Sequence, residues 1–162
     1  MADVGVIVTK ATVWFALLAY FVASGLGYRE GCLRPYRAWW TGGCLCYLAH
    51  VVAAFQFHHD WSHPAAQAHT AAVTASVVGW NWGGGIWFNH LFTLLWVGDA
   101  GWMWVGPDAW LARSRTITYG LQAFFFFMIF NAAVVFADGP VRWFGLLGCA
   151  GVGFRWWKQK KA

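Results

Sequence analysis

The chain is short of charge. Asp, Glu, Lys and Arg make up only 10% of its 162 residues, against about 25% in an ordinary soluble domain. Lys and Arg are absent from Ala38 to Ala112 and again from Thr116 to Val141. A water-soluble fold cannot leave such lengths of surface without basic groups, so that class is excluded. Glu30 is the single glutamate. Di-iron carboxylate chemistry, which draws several Glu ligands from a helical bundle, goes with it. Cys32, Cys44, Cys46 and Cys149 have no metal-ligand spacing. Cys44 and Cys46 point about 200° apart on a helix, so the cysteines read as small apolar groups in a bundle. There is no glycine-rich dinucleotide fingerprint, phosphate loop, H-E-x-x-H or G-x-S-x-G. The run HHDWSH departs from the H-x-x-H-H clusters of membrane hydroxylases and desaturases, and six histidines are too few for them.

What is present is apolar length: 60% of the chain is hydrophobic. A hydrocarbon core of about 30 Å takes about 20 apolar helical residues. The sequence therefore predicts an all-α integral membrane protein, one transmembrane domain over 1–162. Its bundle has five transmembrane helices, with four as the alternative, plus one interfacial helix. The expected spans are 6–27, 38–57, 86–105, 116–137 and 141–157. The Ala- and Thr-rich stretch 64–78 is too polar to span. It reads as the interfacial helix, with Pro64 in its first turn, where a missing N–H costs little. The first apolar stretch has no basic segment ahead of it, so it reads as a retained span rather than a cleaved leader.

The net charge of +5 would suit nucleic acid, but its placement does not. Arg29, Arg34 and Arg37 fall in the first connector, Arg113 and Arg115 in the third, and Arg155, Lys158, Lys160 and Lys161 in the tail. The second connector has none and the fourth only Arg142. Five spans with the N-terminus outside and the C-terminus cytoplasmic place every basic cluster in the cytoplasm, in an inner or plasma membrane. A four-span chain leaves the basic tail on the wrong side. Most of the fourteen tryptophans fall near the expected helix ends: Trp39, Trp40, Trp80, Trp82, Trp87, Trp102, Trp104, Trp110, Trp143, Trp156 and Trp157. They read as interfacial anchors. Membrane lipids are the implied partners, together with a larger membrane complex or further copies of the chain; nucleic acid is not.

The polar residues at membrane depth form two layers. His50, Gln56, Asn89, His90 and Asn131 fall in the outer one. Just above it lie His58, His59, Asp60, His63 and His69. If the helix runs on past Phe57, His59 and His63 share a face as i, i+4 partners and can hold zinc or a transition metal with His58, Asp60 or His69. Alternatively His50 and His90 face each other and ligate a b-type haem. In the inner layer lie Asp99, Gln122 and Tyr119. Burial would keep such a carboxyl protonated, as a proton-relay candidate. The competing readings are a pair with Gln122 or Tyr119, or an ion pair with Arg37. Gly98 and Gly101 suggest close helix approach beside Asp99. The functional expectation is a metal or haem protein acting through the outer histidines, in electron transfer or metal handling. The alternative is a non-catalytic subunit packed, through aromatic runs such as Phe124–Phe127, against a larger respiratory or photosynthetic membrane complex.

Overall fold

In a computed structural model of the chain the described residues are 2–27 and 33–159, so Arg29, Glu30, Cys32, Lys160 and Lys161 lie outside them. Among the described residues every regular element is helical: α1 (Ala2–Leu26), α2 (Leu33–His58), α3 (His63–Val78), α4 (Gly85–Val105), α5 (Pro107–Leu111), α6 (Arg115–Phe130) and α7 (Pro140–Gln159). A π-helical turn, Asn131–Val135, continues α6. Three stretches are long and apolar enough to cross a membrane: Val4–Leu26, Leu33–His58 and Arg115–Val135. α4 and α7 have 21 and 20 residues but more Trp and Gly.

Most helix limits follow from local chemistry. α2 starts five residues before the expected span, because Pro35 falls in its first turn, where the N–H groups have no partner in the helix anyway. Ser62 caps α3, accepting from the Ala65 amide at 3.3 Å, with Pro64 beside it. Gly79 ends that helix at φ 75°, which a side chain would resist. Ser114 caps α6 in the same manner. The Phe136 amide bonds Asn131 O at 2.9 Å, the wide spacing of a π turn.

The long helices run antiparallel, α1 on α2, α2 on α4, α4 on α6, with α7 closing against α1 and the π turn. Contacts fix which ends meet. Gly5 abuts Phe57. Arg155 donates to Ser24 O at 2.6 Å and to Gly25 O, filling the carbonyls that end α1. One end of the bundle therefore carries α3 and the histidines. The other carries Arg34, Arg37, Arg113, Arg115, Arg155 and Lys158.

The core is aromatic. Trp40 packs on Tyr36 (5.7 Å), Trp96 (5.4 Å) and Phe125 (5.1 Å). The Trp96 indole N–H donates to Trp40 O at 3.2 Å. Trp40 and Trp110 are thus buried core residues, not interfacial anchors; Trp39, Trp80, Trp82, Trp87, Trp102, Trp104, Trp143 and Trp157 are exposed. Gly98 and Gly101 do not make the close contact expected of them. They face open space, because Asp99 points inward and residues 100° and 200° away must point out. The tight approach is elsewhere, at Gly145 against Ala133 and at Gly43 against Trp96 and Ala19.

Candidate functional site

The six histidines do not form one cluster. α2 ends at His58, and Asp60 and Trp61 take left-handed backbone at φ 46° and 57°. The helix does not run on, so the i, i+4 face that would have joined His59 and His63 does not exist. Among the described residues no group of three or more His, Cys, Asp or Glu is gathered as a metal site. The histidines meet in smaller sets instead.

The first set faces α1. His50 Nδ1 lies 2.9 Å from Thr9 O, and His58 Nε2 lies 3.2 Å from Thr9 Oγ1. The second set joins α3 to α4. His63, at the first position of α3, and His90, in the second turn of α4, place their Nε2 atoms 3.1 Å apart with rings nearly parallel at 29°. Trp87 packs against both rings, 5.2 and 5.7 Å away. α3 can sit this close because the Gly83–Gly85 run brings α4 against Gln67 and Thr70, where a Cβ at Gly83 would lie 2.8 Å from Gln67 Cγ. The third set is His59 and His69, ring centroids 5.3 Å apart. His59 is held below its ordinary imidazole value, first by burial and then by the neighbouring His69 and His58.

His63 and His90 can do one of two things. Alone, one imidazole donates an N–H to the other. Alternatively both nitrogens turn to one metal ion. At a metal–nitrogen distance of about 2.0–2.1 Å, cis ligands lie about 2.9 Å apart at a right angle and about 3.3 Å apart in a tetrahedron. The observed 3.1 Å falls between.

The other outer-layer residues are not drawn into a common site. Asn131 donates to Phe127 O of its own helix at 2.8 Å. Gln56 accepts from the Trp61 indole at 3.0 Å. Asn89 is exposed, its carbonyl accepting from Thr93 at 2.8 Å. His50 and His90 engage different partners, Thr9 and His63. Asp60 is exposed. An apolar crevice of about 60 Å³ opens near this level between Val13, Leu17, Tyr47, Phe92 and Met128.

At the opposite end Asp99 makes a buried ion pair, and its partner is Arg113, not Arg37. The Trp110 indole donates to the same carboxylate oxygen at 2.9 Å, and Arg113 Nε donates to Thr118 Oγ1 at 3.1 Å. Arg113 also lies over the Trp110 ring, 4.3 Å from its centroid. α5, a five-residue helix absent from the expected connector, turns the chain back under α4 and delivers both Trp110 and Arg113. Arg37 instead stacks on Trp104 at 4.1 Å. Gln122 is half-buried on α6 and Tyr119 is exposed.

Sequence reasoning missed the His63–His90 pairing and the role of Arg113. The Gly83–Gly85 run hinted at the first, and the basic residue nearest Asp99 in a short connector at the second. Comparison with known protein families, curated proteins and solved structures returns no match.

Proposed function

We propose that the chain is a five-span protein of an inner or plasma membrane, N-terminus outside, which binds a divalent transition-metal or zinc ion through His63 and His90 and serves metal handling. The observation that carries this reading is the 3.1 Å between two imidazole nitrogens on different helices. Imidazole suits zinc, copper and nickel. Two protein ligands leave further positions to water or an exchangeable donor, an arrangement suited to taking up an ion and giving it away. Trp87 packs against both rings and holds them beside one another.

Connectivity supports the topology. α2 ends at the histidine end and α6 begins at the basic end, so if both cross, the chain between them crosses too. α4 is the element able to do it, about 31 Å long at 1.5 Å per residue. α7 returns to the basic end, and all basic residues there then lie in the cytoplasm.

The test is metal content of the purified full chain, followed by titration with zinc or Cu²⁺. Bound metal that falls on His63→Ala and on His90→Ala supports the reading. A protein that takes up no metal, or takes it up unchanged in both variants, overturns it. If a metal-free protein also co-purifies with fixed membrane partners, the accessory-subunit role replaces it.

A further inference from the structure

α3 carries two histidines, and they look in different directions. His69 follows His63 by six residues, which turns it about 240° around the helix. His63 meets His90 of α4, while His69 meets His59 from the segment that joins α2 to α3. The two pairs have the same ring-centroid separation, 5.3 Å, although the second is more tilted, at 56°. We propose that His59 and His69 form a second site for a divalent transition-metal ion, separate from the one between His63 and His90.

Three features beyond the pairing support it. The position of His59 is pinned: its carbonyl accepts the Ser62 amide at 2.7 Å, and the left-handed residues Asp60 and Trp61 complete the turn. A further imidazole, His58, lies 6.5 Å from His59, its Nε2 3.2 Å from Thr9 Oγ1 of α1. The chain on either side of the pair carries an acid and no base. Asp60 adjoins His59, and no Lys or Arg occurs between Ala38 and Ala112.

The site does not depend on the one proposed above, and a single experiment separates them. The full chain in nanodiscs is titrated with Cu²⁺ alone, with calorimetry counting ions and electron paramagnetic resonance detecting nitrogen ligation. Two ions per chain are expected. His69→Ala, and equally His59→Gln, should leave one ion, which disappears when His63→Ala is added. Circular dichroism checks that the variants stay helical. Two ions retained in His69→Ala overturn the inference, as does a single wild-type ion lost only in His63→Ala. A single ion lost in His69→Ala but kept in His63→Ala supports this site and removes the other. No binding at all overturns both.

Discussion

Replacing Asp99 by alanine leaves the Arg113 guanidinium inside the bundle without its carboxylate. Both side chains are almost completely enclosed, Arg113 at 2% and Asp99 at 4% exposure. Removing one member of a buried pair costs about 3–5 kcal/mol, because the survivor keeps its desolvation penalty and loses its compensation. The Trp110 indole loses its acceptor at the same time. Against a total stability of about 5–15 kcal/mol, Asp99→Ala should shift unfolding strongly. Arg113→Met should do the same. The double variant Asp99→Leu with Arg113→Met should recover most of the loss, since an apolar pair of similar volume is neutral or better in such a site. Combining Asp99→Leu with Arg37→Met should be additive, because Arg37 is engaged with Trp104. Reversible unfolding in mixed micelles, followed by circular dichroism, measures all four corners of each cycle. A cost below about 1 kcal/mol for Asp99→Ala would refute the burial argument. So would additivity of the Asp99 and Arg113 variants, or strong coupling to Arg37.

Gly145→Ala should destabilise the bundle by about 1–3 kcal/mol, because its Cβ would sit 2.7 Å from Ala133 Cβ on the π turn. Gly98→Ala, in open space, should be neutral or stabilise by up to about 1 kcal/mol, and a reversed order in the same unfolding assay would contradict the packing of α7. In intact cells a membrane-impermeant maleimide should label His69→Cys and not Arg115→Cys; labelling only the second would invert the topology. His59 is held below its ordinary value by burial and by His69 and His58. Acid therefore opposes the fold: the contribution of His59 is full above its unfolded value and lost as pH falls through the lower folded one. Cu²⁺ bound in His63→Ala protein should accordingly survive to lower pH than Cu²⁺ on an unfolded peptide spanning His58–His69. Release at higher pH than from the peptide would show that His59 is not sheltered.

The pairings could not be read from one dimension. α1, α4 and α6 are apolar on most of their circumference, so no polar stripe marks which face turns inward. The burial of Asp99 was legible but its partner was not. Arg37, Gln122 and Tyr119 were the partners its sequence position offered, and only the return of the chain through α5 brings Arg113 beneath the carboxylate. The same holds for the tryptophans, whose sequence positions match helix ends whether the indole faces lipid or, as with Trp40 and Trp110, the core.

Composition and local chemistry determined what could be built. The scarcity of charge leaves a surface rich in exposed apolar side chains. The apolar runs set the long helices, and Ser62, Pro64 and Gly79 mark α3 almost to the residue, because a cap acts over only a few residues. The histidine sets were decided elsewhere. HHDWSH reads as one ligand run until Asp60 and Trp61 break the helix and send His59 and His63 in different directions. His63 then meets His90, 27 residues away, because the Gly83–Gly85 run lets α4 approach α3. Contacts across that distance depend on how whole helices pack, and a run of residues carries no record of the rotation each helix takes when it finds its neighbour.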